Sequence, residues 1–299
     1  MVDFYHKSVL VNEVIQYLNP KPYGIYIDAT FGGGGHTRAI LQKEPTCKVI
    51  AIDWDRTALD RHIEIFEQEF PGRVTFIWGN FAQLTRLLKK YSAFEKVDGI
   101  LADFGTSQYQ ILHQPGFSFK VDAPLDMRMS RGHYTVTAAD IINQASEQEL
   151  TTIFKDYGEE KFARAIARAI IKQRSIHPFK MTSELVSVVE TVTGKGRPGL
   201  IHPATKVFQA LRIVVNRELD NIHAFLSQAG EILSNNGRIV CISFHSLEDR
   251  LVKHFFRENS NTFSLLTSKV VIAQQEEIKA NPSSRSAKLR AAEKIAERV

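Results

Sequence analysis

Asp53, Phe81 and Asp103 each stand at or just past the end of a short apolar run, and Asp28-Ala-Thr-Phe-Gly-Gly-Gly-Gly-His36 follows another and opens a helical pattern. Consecutive glycines let a main chain approach a ligand closely and take dihedrals that a side chain forbids. A carboxylate placed like Asp53 can accept hydrogen bonds from both hydroxyls of a ribose, and an adenine ring can stack on Phe81 beside Gly79 and Asn80. Singly, the glycines could make only a tight turn and Asp53 could be a solvated strand end. In register, the set outlines an adenosine site. The run lacks the G-x-G-x-x-G order of a dinucleotide site, and no pyrophosphate-binding lysine follows it. Adenosine with an uncharged or zwitterionic tail therefore fits better than NAD or ATP, and S-adenosylmethionine is the expected cofactor.

The elements that must position these residues read as a doubly wound α/β start. Strand patterns at 25–30, 48–53, 74–78 and 97–103 alternate with helical ones, in which Leu59, Ile63 and Phe66 share one face and Leu84, Leu87 and Leu88 another. Ligands of such sheets sit beyond the carboxyl ends of the strands, where the candidate residues fall. After Asp103 the alternation stops. A loop rich in Gly, Pro and Ser leads to helical patterns at 148–157, 161–173 and 181–193, and helices at 204–219 and 220–233 lead back to a strand at 238–244. A helix at 247–257 and a strand at 268–273 complete the pattern, and from Glu276 the chain turns polar and basic. The boundaries predict a sheet domain from 1–108 and 215–299 and an inserted, mostly helical domain at 109–214.

Composition is that of a globular protein: 299 residues, 43% hydrophobic and 24% charged. Two cysteines, Cys47 and Cys241, lie in apolar runs and are too few for a disulfide framework or a thiolate metal site. The ten histidines form no HxxxH or HxH pair, so no metal is expected. No apolar run approaches the ~20 residues that span a bilayer, and the N-terminus lacks a signal-peptide pattern, so a cytoplasmic protein without membrane partners is expected. The net charge of +5 is unevenly spread. From Lys161 to Arg217, eleven Lys and Arg face two acids, a surplus of +9 that leaves about −4 elsewhere. Helical spacing puts Lys161, Arg164, Arg168 and Lys172 on one face and Phe162, Ile166 and Ile170 on another. Such a stripe is either a solvated face or a grip on nucleic-acid phosphates, and the surplus around it favours the grip.

The unusual words of the chain, in order, are His6-Lys-Ser-Val-Leu10, the glycine run, Gly116-Phe-Ser-Phe119, Pro124-Leu-Asp-Met-Arg-Met129, Tyr157-Gly-Glu-Glu160, His202-Pro-Ala-Thr205, Phe208-Gln-Ala-Leu-Arg-Ile213, Ser243-Phe-His-Ser-Leu-Glu-Asp-Arg250 and Arg285-Ser-Ala-Lys-Leu-Arg290. With them the chain resembles, over almost its whole length, the ribosomal RNA small-subunit methyltransferase H family, RsmH, formerly MraW. The resemblance implies a class I, Rossmann-like, S-adenosylmethionine-dependent methyltransferase sheet interrupted by a helical insertion. It also implies methyl transfer to N4 of a cytidine in the decoding region of 16S ribosomal RNA, with small-subunit rRNA or the assembled small subunit as partner. Cofactor contacts would fall on Gly33, Gly34, Gly35, His36, Asp53, Phe81, Asp103 and Gln110. Three departures stand out. Asp103-Phe-Gly-Thr-Ser-Gln-Tyr-Gln110 replaces the usual Asp-Leu-Gly-Val-Ser-Ser-Pro-Gln, Ser8 replaces Pro, and Asn281-Pro-Ser-Ser-Arg285 is polar where a further arginine is usual.

Cytosine N4 is a poor nucleophile because its lone pair is delocalised into the ring, so an enzyme must align it with the methyl group and offer acceptors to its hydrogens. The chain has no Pro-Pro-aromatic word after the fourth strand; Asp103 stands in its place. Asp103 is then either an acceptor for the amine or only a cofactor contact or loop cap. Pro124 to Met129 and Ser243 to Arg250 read as pocket loops through the resemblance, and His245 on its own reads equally as a structural histidine. Beside an RNA base methyltransferase, two other classes stay open: a nucleotide-dependent oxidoreductase, and a non-catalytic RNA-binding assembly factor.

Overall fold

The computed structural model describes residues 8–91, 94, 96–105, 115–196 and 199–296. The chain divides into two units, Met1–Gly105 with Leu219–Val299, and Thr106–Glu218. No helix among the described residues is long and apolar enough to cross a membrane.

In the first unit, α1 (Val11–Leu18) precedes β1 (Ile25–Asp28), α2 (Gly35–Lys43), β2 (Lys48–Asp53), α3 (Arg56–Glu69), β3 (Val74–Trp78), α4 (Leu84–Tyr91) and β4 (Val97–Asp103). The second passage through this unit supplies α10 (Glu218–Ile232), whose first residue belongs to the other unit, then β5 (Leu233–Ser243), α11 (Ser246–Glu258), β6 (Phe263–Leu265), β7 (Val271–Ile272), α12 (Gln275–Ala280) and β8 (Lys288–Lys294). The sheet order is β3-β2-β1-β4-β5-β8-β6, with β7 paired to β8; the strands from β3 to β5 are parallel, and β8 is antiparallel to β5. This is the class I, Rossmann-like methyltransferase sheet. Both faces are covered. Ile27, Ile50, Ile52 and Ile100 point into one apolar layer with Leu84, Phe225 and Phe256, while Tyr26, Val49, Ala51 and Leu101 point into another with Val14, Ile40 and Phe66. Strands buried on both sides must be apolar throughout, hence the continuous runs of the sequence.

Several expectations need correction. The strand expected at 268–273 is only the pair Val271–Ile272, and the polar tail after Glu276 contains β8 inside the sheet. Its charges hid it, and the fold neutralises them: Arg290 makes two hydrogen bonds to Asp249, Glu293 receives Arg238, and the Lys294 ammonium lies on the carbonyls of Gly230 and Leu233. Arg290, in the tail that reads as polar and basic, is thereby committed within the protein. In α3, Ile63 is 39% exposed because the inward stripe runs through His62, whose ring meets Phe31 edge-on at 5.6 Å. Phe162 is 53% exposed, since the helix begins one residue later, at Ala163, and leaves it in a non-helical capping position.

The second unit holds α5 (Ala138–Gln144), α6 (Glu147–Thr152) running into a π-helical turn (Ile153–Tyr157), α7 (Ala163–Arg174), α8 (Thr182–Thr193) and α9 (Ala204–Val215). Capping boxes start two of them, Thr137 with Asp140 and Ser146 with Glu149. Its own core joins Leu125, Met127, Phe154, Ile166, Ile170, Leu185 and Leu211. The word at 124–129 is a strained turn: Met127 has φ +62°, and Asn216 clamps it by donating to the Met127 carbonyl and accepting from the Met129 N–H, both at 2.7 Å. Gly116 packs against it so closely that a Cβ there would lie 2.8 Å from the Asp126 nitrogen.

Candidate active site

β1 and β4 are neighbours although β2 and β3 intervene in sequence, so the chain reverses its winding between them and opens a crevice at their carboxyl ends. Asp28 ends β1 and Asp103 ends β4. Thr30 ties the two sides together: its N–H donates to Asp28 Oδ1 at 3.2 Å and its hydroxyl accepts the Asp103 N–H at 2.7 Å.

The glycine run turns between β1 and α2. Gly32 and Gly34 have φ of +53° and +73°, which side chains resist, and a Cβ on Gly34 would come within 2.7 Å of both Phe31 and Phe66. The Gly32 N–H donates to Asp53 Oδ2 at 2.7 Å, and the Asp55 N–H donates to Asp53 Oδ1 at 2.8 Å. Each oxygen keeps a further lone pair. Burial pushes the Asp53 carboxyl up to about 7, against the pull of these two N–H bonds.

Phe81 opens a short 3-10 turn after β3, capped by Asn80, whose side chain accepts the Ala82 N–H. Its ring is partly buried in an aromatic group, 6.0 Å from Trp54, 5.9 Å from Phe104 and 5.6 Å from Phe225 between centroids.

Asp103 and His36 face each other beneath the loop. His36, the second residue of α2, has its imidazole turned inward, 4% exposed; Nε2 meets the Val9 carbonyl at 2.8 Å and Nδ1 lies 3.9 Å from Asp103 Oδ2. Asp103 Oδ1 is buried and accepts no hydrogen bond from a described residue. Burial pushes the Asp103 carboxyl up to about 7; His36 pulls it down, and the negative charges of Asp28 and Glu248 push it further up. Asp28 is fully buried, and burial raises its carboxyl as well, opposed by His36 and by the Thr37 hydroxyl that donates to it at 2.7 Å.

Gln110 lies outside the described residues. Gly33 and Gly35 sit in the loop and at the first position of α2. In the helical unit, Arg164, Arg168 and Lys172 share the exposed face of α7 opposite Ile166 and Ile170, and Glu147 stands 4.0 Å and 3.6 Å from the two arginine Nε atoms. Arg174 is turned inward onto the carbonyls of Ile142 and Ala145, Arg212 pairs with Glu218, and the Lys206 ammonium binds the Glu159 carbonyl, so part of the basic surplus serves the unit itself. Sequence reasoning did not single out Asp28, Thr30 or Trp54 as site residues. The strand-end rule that picked Asp53 and Asp103 applies equally to Asp28, and Trp54 follows Asp53 directly.

The donor set fits an adenosine whose tail carries positive charge. The charges acting on Asp53 and Asp103 are those of Asp28, Asp55, Glu248 and His36, with no lysine or arginine among them. Where they are ionised, carboxylates at these strand ends favour a cation over a pyrophosphate.

The sequence profile of the MraW methylase family matches residues 3–295. The chain is 49% identical over 294 residues to the ribosomal RNA small subunit methyltransferase H of Nostoc punctiforme, covering 98% of this chain and 95% of that protein. It is 48% identical over 293 residues to the protein of the same name from Endomicrobium trichonymphae, with 97% and 99% covered. Among solved structures, TrmN from Thermus thermophilus superposes with a TM-score of 0.45 at 14% identity, over 96% of this chain and 48% of that one, a likeness too low to inform function.

Proposed function

The chain belongs to the MraW methylase family, and from that premise we propose that it transfers a methyl group from S-adenosylmethionine to the exocyclic N4 of a cytidine in the decoding region of 16S ribosomal RNA. The observation that carries this reading is the acid-lined crevice at the ends of β1 and β4, where Asp103 Oδ1 is buried and accepts no hydrogen bond from a described residue. S-adenosylmethionine supplies an electrophilic methyl on a cationic sulfur. The chain's own residues bind and orient. Asp53 accepts the ribose hydroxyls, Phe81 gives the adenine an apolar wall, and the glycine loop admits the ligand to the main chain. Asp103 holds negative charge where the amine nitrogen becomes positive and takes the proton that nitrogen must lose. The glycine run, which lacks the G-x-G-x-x-G order of a dinucleotide site, counts against the oxidoreductase reading. The inserted helical domain, delimited in sequence at 109–214, recognises the substrate, with Arg164, Arg168 and Lys172 on phosphates and the target base splayed out of its stack.

The test compares nucleosides of small-subunit rRNA from cells with and without the gene by mass spectrometry, and then asks whether the purified protein restores the missing methyl to naked rRNA or to isolated small subunits. An N4-methylated cytidine that vanishes with the gene and returns with the protein supports the reading. An unchanged nucleoside profile overturns it, and a methyl lost from another base or atom overturns the N4 assignment alone.

A further inference from the structure

His36 has been read as part of the loop that touches the cofactor, yet its imidazole is turned to the protein interior. Val9 offers only a carbonyl, which cannot donate, so the Nε2 atom 2.8 Å away must carry the hydrogen. In the neutral ring, Nδ1 is then a bare lone pair, and it points toward Asp103 Oδ2 at 3.9 Å. Two acceptors face each other. The arrangement is favourable only with a proton between them, at a separation somewhat beyond hydrogen-bond reach. The charged groups acting around this pair are Asp28 at the end of β1, Asp103 at the end of β4 and Glu248 from α11. An imidazolium formed here has two carboxyl groups, Asp28 and Asp103, acting on it, while Glu248 acts on Asp103.

We propose that His36 is the proton partner of Asp103: through Nδ1 it receives the proton that Asp103 takes from the amine, which leaves Asp103 ionised again. This rests on the methyl-transfer reading above. As the nitrogen lone pair forms the new C–N bond, the C–S electron pair returns to sulfur and the nitrogen is left with one surplus proton. That proton passes to Asp103, then to His36 Nδ1, and leaves through Asp103 once product has departed. His36 is a positioning residue by this account, since it reaches the substrate only through Asp103. Asp103 stands pushed up to about 7 with His36 already pulling it down, so without the imidazole it ionises at higher pH still.

The test uses the full chain with S-adenosylmethionine and small subunits lacking the modification, and records single-turnover rate against pH for the parent and for His36→Gln. Glutamine keeps a donor for the Val9 carbonyl and removes the basic nitrogen. The ascending limb of the profile moves to higher pH, with a deficit of roughly tenfold near pH 6.5 that narrows toward pH 9. A deficit equal at every pH means that His36 is only structural and overturns the proposal. Should the variant fail to fold, nitrogen NMR of histidine-labelled parent decides: Nε2 stays protonated throughout, and the Nδ1 titration shifts in Asp103→Asn. An unchanged Nδ1 titration, or a ring protonated on Nδ1 alone, overturns the proposal. A parent that transfers no methyl at any pH while showing the coupled titration instead sinks the methyl-transfer reading and leaves the pair intact.

Discussion

The Gly32 N–H donates to Asp53 Oδ2 at 2.7 Å, so the tip of the glycine loop is tied to the carboxylate at the end of β2. The residue proposed to grip the ribose is thus fixed by the loop proposed to admit it. Asp53→Ala removes both the acceptor and the tie. A lost charge-assisted hydrogen bond typically costs ~1.5–3 kcal/mol, so affinity for S-adenosylmethionine and for its demethylated product falls by roughly ten- to a hundredfold in calorimetry. Equal affinity in mutant and parent removes Asp53 from the site.

Asp103 makes two kinetic demands that separate its roles. If it accepts the amine proton, Asp103→Ala lowers the single-turnover rate at saturating cofactor by roughly 10²–10⁴, and Asp103→Asn keeps part of the rate because an amide oxygen still accepts a hydrogen bond. If it only holds the cofactor, saturation restores both mutants, and that outcome defeats the catalytic assignment.

The same residue predicts a pH-dependent stability. Burial moves its carboxyl from 3.8 up to about 7, so the folded chain holds this proton more tightly than the unfolded one. Asp103 therefore favours folding fully at acid pH, loses that contribution as the pH rises from about 4 to 7, and is a net cost above 7. Asp103→Asn raises stability at pH 8 by roughly 1–3 kcal/mol, and the gain vanishes near pH 4. Thermal melts of both proteins across this range check it; a gain that is flat with pH contradicts the assignment.

Along α7, replacing Arg164, Arg168 and Lys172 by Gln weakens RNA binding and flattens its salt dependence by about one unit of slope per lost phosphate contact, with cofactor affinity unchanged. Glu147, which stands beside both arginines, competes with phosphate, so Glu147→Gln strengthens RNA binding. An identical salt slope in the triple mutant and the parent places the RNA elsewhere.

Gly34 gives a purely structural prediction. Its φ of +73° and the two phenylalanine rings that a Cβ would strike make Gly34→Ala costly. The backbone conformation alone costs ~1–2 kcal/mol, and displacing the rings brings the loss to roughly 2–4 kcal/mol in denaturant titrations.

The parallel strands and their terminal carboxylates were legible because a strand buried on both faces must be apolar, which makes the first polar residue after it conspicuous. β8 broke that rule. It carries Lys288, Arg290, Glu293 and Lys294 inside the sheet, and the partners that make this tolerable, Asp249, Arg238 and two main-chain carbonyls, come from α11, β5 and α10. A pattern of single residues cannot report pairings made across forty or more positions of chain. The inward turn of His36 was hidden for the same reason. Its two neighbours, the Val9 carbonyl and Asp103, are remote in sequence, and loop position alone suggests a ligand contact.

The place of β8 in the sheet order also bears on how the protein is made. Synthesis delivers β1 to β5 first, but β5 meets its antiparallel neighbour only when residues 288–294 have been added, and β6 has no strand to pair with until then. Through that interval the growing chain carries an unpaired strand edge next to the strands that frame the crevice, the condition in which nascent sheets pair wrongly or aggregate. The sheet that frames the crevice is thus complete only once residues 288–294 have emerged from the ribosome that translates them.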